Sequence, residues 1–151
     1  MLSEIGRCHL QSFCNMLPDY AFEFVSPLTK CGGVGIFYKR NFIKINVMKN
    51  VINRNLNCQC SNCQVEELWL DVKRYNRCYK FVVCYRHPKG NINHFIEALE
   101  PAIMSVTSKE VCVFGGDLNI DLLKINEIAT VKSYYNLMSC YLFYTSHNLT
   151  H

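Results

Sequence analysis

The sequence EVCVFGGDLNID, residues 110–121, joins a short apolar run to two glycines and a group of polar side chains. The run from Val111 to Phe114 is typical of a strand that is buried on both faces of an α/β sheet. Gly115 and Gly116 are expected to end this strand. The segment therefore predicts a central strand of an α/β fold.

Asp117 and Asn119 follow the glycines and are separated by one residue. In an extended segment this spacing places both side chains on the same side of the chain. They would lie at the carboxyl end of the strand, where open α/β sheets bind their ligands. The pair is therefore the first candidate for a functional site. The alternative is that both residues are turn formers after the two glycines.

The composition is that of one globular domain. The 151 residues allow a single core, and half of them are hydrophobic while 13% are aromatic. The formal net charge of +4, from 16 basic and 12 acidic residues, permits nucleic-acid binding without requiring it. The sequence has no visible secretory signal and no apolar run of about 18 residues, so we expect no membrane span and an intracellular location, nuclear or cytoplasmic.

The chain has ten cysteines, which is many without an export signal. Cys84 and Cys112 lie within apolar runs, where cysteine behaves as a small hydrophobic residue, and we expect reduced thiols. Cys58, Cys60 and Cys63 are close enough in sequence to share a zinc ion. Zinc would need a fourth ligand from elsewhere, and the alternatives are an ordinary loop of reduced thiols or an opportunistic disulfide.

One helix and three strands are predicted in the N-terminal part of the chain. Apolar spacing over residues 2–17 favours an amphipathic helix. Residues 20–25 are predicted to form a strand. Residues 32–39 are predicted to be a glycine-rich strand, because a phosphate-binding loop would lead into a helix. Residues 42–47 alternate and are predicted to be its partner strand.

The C-terminal part is predicted to mix strands and helices. Strands at residues 65–72 and 79–85 would form an antiparallel hairpin. A helix at residues 92–106 precedes the strand of the opening segment, and a helix at 131–138 and a strand at 141–144 follow it. This order predicts an α/β sandwich with a mixed sheet.

A basic loop follows the second hairpin strand. Residues 85–90 read YRHPKG, in which the proline and the glycine require a loop. The loop presents a phenol, a guanidinium, an imidazole and an ammonium group. On charge alone, a solvated basic turn explains these residues as well as a binding site does.

Four blocks, in this order, resemble the endonuclease/exonuclease/phosphatase superfamily, and within it the apurinic-type endonuclease domain of non-LTR (LINE-like) retrotransposons. The blocks are Leu2-Ser3-Glu4, Gly32-Gly33-Val34-Gly35-Ile36, Tyr85-Arg86-His87-Pro88 and Gly116-Asp117-Leu118-Asn119. The resemblance implies that superfamily's mixed-sheet α/β sandwich over residues 1–151. It also implies a partial domain, because the family's first strand and its terminal Asp and Ser-Asp-His-type motifs have no counterpart here.

The resemblance implies a metal-dependent endonuclease that nicks DNA and leaves a 3′-hydroxyl. Glu4 would bind Mg²⁺ or Mn²⁺, although it could instead be a glutamate on the surface of a helix. Asp117 would orient or deprotonate the attacking water, and Asn119 would hold the phosphate or the nucleophile. Tyr85 would donate a hydrogen bond to the transition state, and its alternative is an aromatic residue at a strand end.

DNA is the partner that the resemblance implies, together with a reverse-transcriptase domain in a full-length element. Arg86 and Lys89 would contact backbone phosphates, which set affinity without reading sequence. Three other functions remain open. They are a non-catalytic remnant of the same domain, a cysteine-rich binding module stabilised by zinc, and a phosphatase of the same superfamily.

Overall fold

The computed structural model describes residues 1–6, 10–27, 32–40, 45–48, 65–74 and 77–141. Both strands and helices occur in these ranges, which confirms the predicted α/β class. The elements are β1 (Leu2–Ser3), α1 (Leu10–Met16), β2 (Tyr20–Val25), β3 (Val34–Lys39), β4 (Ile45–Met48), β5 (Val65–Arg74), β6 (Arg77–Arg86), α2 (Ile92–Met104), β7 (Glu110–Asp117), a short 3-10 helix (Leu122–Lys124) and α3 (Ala129–Cys140).

The described strands form two sheets. The first is antiparallel, with the order β1-β3-β2. The second has the order β4-β5-β6-β7, and β6 pairs with β7 in parallel while the other pairs are antiparallel. The second sheet is therefore mixed, as predicted. The hairpin prediction is confirmed too, because β5 and β6 pair along their whole length.

The mixed sheet lies between the antiparallel sheet and the helices α2 and α3. Alternate residues of β6 face opposite sides, so Val83 and Tyr85 meet the first sheet while Cys84 meets the helices. The core between the sheets contains Val25, Val34, Ile36, Leu68, Leu70, Val72, Val83 and Tyr85. The core on the helical side contains Cys84, Phe95, Leu99, Ile103, Tyr134, Leu137 and Met138. Burial of these two apolar layers drives the sandwich together.

Helix α2 carries the chain from β6 back to the start of β7, as a parallel strand pair requires. Its N-terminus is capped by Asn91, whose side chain accepts the backbone N–H of Asn93 at 2.8 Å. Phe95 and Leu99, one turn apart, are buried against the sheet, so the apolar periodicity predicted this helix correctly. α3 confirms the second predicted C-terminal helix. The strand predicted at residues 141–144 stays a prediction beyond Tyr141, because residues 142–144 lie outside the described ranges.

The N-terminal helix prediction is wrong over its first residues. Leu2 and Ser3 form β1 and pair with Gly35 and Val34 of β3, and the helix spans only Leu10–Met16. Gly6 lies between the two elements with a φ of 63°, which a right-handed helix does not accommodate. Residues 2–3 form a strand because the edge of β3 offers them hydrogen-bonding partners. The apolar spacing of the N-terminal segment gives no information about those partners.

The partner of the glycine-rich strand was also predicted wrongly. β4 pairs with β5, in register from Ile45 opposite Val72 to Met48 opposite Trp69. β3 has β1 on one side and β2 on the other, so neither of its edges is left for β4. Alternation within β4 indicated a strand correctly but carried no information about which sheet it joins.

Strand β7 differs from the prediction in length and position. It continues through Gly115 and Gly116, which pair with β6, and it ends at Asp117. Among the described strands it is the edge of the mixed sheet, not a central strand. Val111 and Val113 are accordingly 44% and 38% exposed, and they are not buried on both faces. The glycines do not end the strand because β6 still supplies their hydrogen bonds.

No helix in the described ranges has both the length and the apolar character needed to span a membrane.

An ion-pair group ties three strands together at the end of the sheet away from Asp117. Lys80 Nζ lies 3.2 Å from a carboxylate oxygen of Asp71 and 3.2 Å from one of Glu110. Burial lowers the pKa of Lys80, but its hydrogen bonds to both carboxylates outweigh this, so its pKa is raised. The backbone N–H of Thr107 is the main cause of the lowered pKa of Glu110.

These pKa directions predict how stability depends on pH. Because the pKa of Lys80 is higher in the folded state, its charge stabilises the fold below about pH 10. Because the pKa of Glu110 is lower in the folded state, its charge stabilises the fold above about pH 4. We expect Lys80→Met to lower the free energy of unfolding by about 1 kcal/mol at pH 7, and by less at pH 3. Urea denaturation at both values measures this. An equal loss at pH 3 and pH 7 would show that packing of the lysine stem, not its charge, is responsible.

Candidate active site

Three side chains form a row across the carboxyl end of the mixed sheet. Glu66 of β5 is opposite Tyr85 of β6, and Tyr85 is opposite Asp117 of β7. Laterally paired residues project to the same face of a sheet, so all three point toward the antiparallel sheet. Tyr85 belongs to the core between the sheets, which fixes that direction. The structure thus brings Asp117 and Tyr85 together, as the sequence interpretation required.

Asp117 begins a tight turn. Its Oδ1 accepts the backbone N–H of Asn119 at 3.0 Å, and Asn119 has a φ of 50°. Asparagine tolerates this left-handed conformation better than most residues, which explains an Asn at this place. Asp117 is half-buried and Asn119 is exposed, so the turn carries a carboxylate and a carboxamide at the rim of the sheet.

Arg86 is a buried clamp for this turn. Its guanidinium donates from Nε to the Leu118 carbonyl at 2.6 Å and from Nη2 to the Asn119 carbonyl at 2.6 Å. Nη1 donates to the carbonyls of Gly90 at 2.5 Å and His87 at 3.2 Å. One side chain therefore joins the loop after β6 to the loop after β7.

Asn119 returns a hydrogen bond to the clamp residue. Its Nδ2 donates to the Arg86 carbonyl at 2.8 Å, so its amide nitrogen holds the turn in place. The predicted role of Asn119 was to hold phosphate or nucleophile. In this structure the amide nitrogen also has a structural role that the sequence did not indicate.

The buried position of Arg86 does not support the predicted contact with DNA phosphates. Only 2% of the residue is exposed, and its hydrogen bonds go to carbonyls of its own chain. Burial lowers the pKa of Arg86, and the charge of Asp117 partly opposes that shift. Because arginine stays protonated over the physiological range, the clamp brings positive charge close to Asp117.

Replacing Arg86 with lysine should loosen the turn. A lysine ammonium cannot reproduce the planar fork that serves four carbonyls, so buried acceptors would lose their partners. We expect a loss of about 2 kcal/mol in the free energy of unfolding, and faster exchange of the Asn119 amide proton. Arg77→Lys, at the exposed start of the same strand, is the matched control. Equal effects of the two substitutions would contradict the clamp role.

Glu4 directly follows β1, and the residue before that strand, Met1, contacts β7. Met1 packs over Gly115, because a Cβ at that glycine would be 3.0 Å from Met1 Cε. β1 is two residues long, and Glu4 follows it with an exposed side chain and a φ of 56°. The predicted metal ligand is thus an exposed residue after a strand, and not a residue on the surface of a helix.

The segment after Glu4 is fixed to the glycine-rich start of β3. The backbone N–H groups of Ile5 and Gly6 donate to the carbonyls of Gly33 and Gly32 at 3.3 and 2.8 Å. The Gly33 N–H in turn donates to the carboxylate of Glu66. A continuous set of hydrogen bonds therefore leads from the Glu4 segment to the row that contains Tyr85 and Asp117.

Tyr85 and Lys89 have opposite exposures. Tyr85 is 3% exposed and packs in the core between the sheets, so its ring is not displayed in an open loop. Lys89 is exposed in the turn after β6, where its backbone N–H donates to His87 Nδ1 at 3.3 Å. Lys89 can meet a phosphate from solvent, and that role stays a prediction.

Sequence reasoning missed Glu66. Val65-Glu66-Glu67-Leu68 places two adjacent carboxylates just before the apolar run of β5, and both are buried, at 4% and 5% exposure. A charged residue is seldom fully buried unless it is paired or hydrogen-bonded. The pattern of acid residues within a core strand was therefore an available signal, and the prediction of a simple core strand ignored it.

The donors at the rim fit a hard divalent cation better than zinc. Mg²⁺ commonly takes one or two protein carboxylates and keeps several waters, and Glu4 and Asp117 supply exposed and half-exposed carboxylates. Within the described ranges, no three His, Cys, Asp or Glu residues are grouped to hold a metal. The predicted zinc ligands Cys58, Cys60 and Cys63 lie outside the described residues, so that alternative stays a prediction.

The described thiols of Cys78, Cys84, Cys112 and Cys140 are free. Burial raises the pKa of Cys112 to about 11, and it also raises the pKa of Cys84 well above its ordinary value. Both thiols therefore stay protonated near neutral pH, which agrees with the prediction that they act as small hydrophobic residues.

Comparison with known proteins supports the fold. No family model matches the chain, and no curated protein matches it. Among solved structures, it is similar to the crystal structure of D. rerio TDP2 complexed with single-strand DNA product, with a TM-score of 0.56 and 13% identity. The match covers 87% of this chain and 50% of that one, so the chain spans about half the length of TDP2. The chain therefore has a mixed α/β fold similar to that of TDP2.

Proposed function

We propose that this chain is a metal-dependent phosphodiesterase domain that acts on DNA, and that it is a nicking endonuclease of LINE-like retrotransposon origin. The observation that carries the proposal is the placement of Asp117 beside Tyr85 at the carboxyl rim of the mixed sheet. The fold is shared with a protein that was crystallised with a DNA product, which supports DNA as the substrate class.

Asp117 is proposed to orient or deprotonate the attacking water. Its carboxylate is half-buried at the rim, where a water can reach it. One oxygen accepts the Asn119 N–H, which fixes the plane of the carboxylate before substrate arrives. A general base held in this way loses little orientational freedom in the transition state. The buried guanidinium of Arg86 holds the turn after the base by donating to the carbonyls of Leu118 and Asn119.

Tyr85 and Asn119 are proposed to hold the phosphate. The Tyr85 phenol projects to the same face as Asp117, and a donor there could meet the charge that develops on the phosphate oxygens. Asn119 is exposed and adds a polar group without negative charge. Tyr85→Phe separates this role from packing, because the ring keeps its place in the core and only the hydroxyl is lost.

Glu4 is proposed as the principal ligand of a Mg²⁺ or Mn²⁺ ion, with Asp117 close to the same place. When bound, such an ion polarises the scissile phosphate and neutralises its charge. The exposed ammonium of Lys89 would contact a backbone phosphate. In a full-length element the natural partner would be a reverse-transcriptase domain, which extends the 3′-hydroxyl at the nick inside the cell.

The chemistry of the nick provides the test. Supercoiled plasmid is incubated with the protein and Mg²⁺, and a DNA polymerase with labelled nucleotides is then added. We expect open-circular plasmid that incorporates label, because the proposed reaction leaves a 3′-hydroxyl. Plasmid that stays supercoiled, or nicks that take up no label, would contradict the proposal.

A non-catalytic remnant of the same domain is the second candidate. The burial of Tyr85, with 3% of the residue exposed, favours it because a core position suits a packing role. Such a chain would bind DNA through Lys89 and the net positive charge but would not cut it. Binding without nicking, measured on the same plasmid by gel retardation, would support this candidate over the enzyme.

A further inference from the structure

Glu66 is a buried acid that the proposed mechanism does not use. Only 4% of the residue is exposed, and it lies in β5 with Leu68 of the core two positions later. Burying a carboxylate in such a layer costs free energy unless hydrogen bonds satisfy it. The partners of Glu66 therefore indicate why an acid is placed here.

The carboxylate of Glu66 fits against two glycines of the other sheet. The backbone N–H of Gly33 donates to Glu66 Oε2. At Gly32, an added Cβ would lie 2.7 Å from Oε2 and 2.9 Å from Oε1, so a side chain there would displace the Glu66 carboxylate. Both glycines have positive φ, 109° for Gly32 and 84° for Gly33. The acid and the two glycines thus form one fitted contact between the sheets.

This contact reaches Glu4 from one side. Gly32 and Gly33 accept hydrogen bonds from the two residues after Glu4, at 2.8 and 3.3 Å. In addition, a Cβ on Gly33 would lie 2.7 Å from Ile5 Cγ1, so Ile5 packs directly on that glycine. A shift of Gly32–Gly33 must therefore move the backbone next to Glu4.

The same acid is tied to Asp117 from the other side. Glu66 pairs with Tyr85, and Tyr85 pairs with Asp117, through the hydrogen-bond ladders of the mixed sheet. Glu4 belongs to the first sheet and Asp117 to the second. Glu66 is accordingly a residue of the rim row that joins its sheet to the Gly32–Gly33 segment by accepting the Gly33 N–H.

We propose that Glu66 is a positioning residue that sets the place of Glu4 relative to Asp117. The inference rests on the proposed function, in which Glu4 binds a divalent cation. Glu66 does this by its reach to Gly33, without contacting metal or DNA. Its acceptor oxygen matters, and its negative charge does not.

Two substitutions separate the effect of the length of the Glu66 side chain from the effect of its negative charge. Glu66→Gln keeps the length of the side chain and an oxygen that accepts the Gly33 N–H, but it removes the charge. Glu66→Asp keeps the charge but is one methylene too short to reach Gly33. If Glu66 were instead a metal ligand, the glutamine variant would lose cation binding.

Mn²⁺ binding provides a readout that does not depend on catalysis. We titrate each variant with Mn²⁺ and follow the free ion by electron paramagnetic resonance. Substitution of a group that orients a metal ligand typically lowers the metal affinity about 10–100-fold. We therefore expect Glu66→Asp to raise the Mn²⁺ dissociation constant about tenfold and Glu66→Gln to change it by less than about twofold. The Gly33 amide should exchange faster in the aspartate variant only.

Glu67→Asp is the matched control. Glu67 is the next residue, is 5% exposed, and faces the helical side, where it accepts the Trp69 Nε1–H at 3.2 Å. The Glu67→Asp substitution should lower thermal stability as much as Glu66→Asp does and leave Mn²⁺ binding unchanged. This comparison separates positioning from general loss of stability.

The outcomes distinguish the inference from the function on which it rests. The positioning role is overturned if Glu66→Asp binds Mn²⁺ as tightly as the wild type, or if Glu66→Gln loses Mn²⁺ affinity. In either case, Mn²⁺ binding by the wild-type chain still supports the proposed metal site. A wild-type chain that binds no Mn²⁺ and does not nick DNA overturns the proposed function, and the inference with it. Tenfold weaker binding in the aspartate variant alone supports both.

Discussion

Replacing Gly116 with alanine should destabilise the chain by about 3 kcal/mol and lower its melting temperature by roughly 10 °C. Gly116 has a φ of 135°, which side-chain-bearing residues rarely adopt. A Cβ there would overlap the carbonyl oxygen of Cys84 on the adjacent strand. The backbone must then move, and the movement breaks the pairing that presents Asp117. Thermal and urea unfolding, followed by circular dichroism, measure the loss.

Gly6→Ala is the control for that result. Gly6 also has a positive φ, 63°, but among the described residues beyond its chain neighbours no atom lies within 4 Å of an added Cβ. The cost there is the backbone conformation alone, about 1 kcal/mol. Similar losses at Gly6 and Gly116 would mean that close approach to Cys84 is not the reason for the glycine in β7.

Replacing Asp117 with asparagine should slow DNA nicking by about 10²–10⁴-fold, the usual range for loss of a general base. Asparagine keeps the size of the side chain and an oxygen that accepts the Asn119 N–H, which Asp117 accepts at 3.0 Å. The turn should therefore survive while the base is lost. The measurement is the initial rate of conversion of supercoiled to open-circular plasmid in Mg²⁺.

Asp121→Asn is the matched control for the base. Asp121 is exposed four residues later and caps the short 3-10 helix by accepting the Leu123 N–H at 3.2 Å. Asparagine caps helices as well as aspartate does, so neither stability nor nicking should change. A loss of activity at position 121 equal to that at 117 would indicate a general effect of negative charge.

Local patterns predicted the local elements well. The strand at residues 20–25 and the hairpin of β5 and β6 follow from alternation and from the polar residues between the strands. Helix α2 follows from apolar spacing and the Asn91 cap. In each case the hydrogen-bonding partners lie within the element or in its neighbour along the chain. Such short-range signals can be read directly from the sequence.

Long-range pairing could not be predicted in the same way. Residues 2–3 and β4 are strands whose positions depend on which sheet edge remains open. A strand's own sequence states which face is apolar but does not name its partner. The exposure of Val111 and Val113 has the same origin, since it depends on how far the first sheet extends over β7.

The candidate site was predicted in part for a related reason. Asp117 and Tyr85 carry recognisable motifs, and the register of β6 and β7 places them side by side. Arg86 looked like a surface cation because its motif lies in a basic loop, yet its guanidinium is buried against four carbonyls. Backbone donors and acceptors leave no trace in a sequence, so neither the carbonyls that Arg86 contacts nor the Gly33 N–H that Glu66 accepts could be inferred from residue types.

The most direct test of the account is the metal dependence of DNA nicking by the wild-type chain, measured beside Asp117→Asn in the same preparation. The account predicts open-circular plasmid with Mg²⁺ or Mn²⁺, none with EDTA, and at least about 100-fold slower nicking by the asparagine variant. Wild-type and variant chains that nick equally, or a folded wild-type chain that never nicks in either metal, would contradict it.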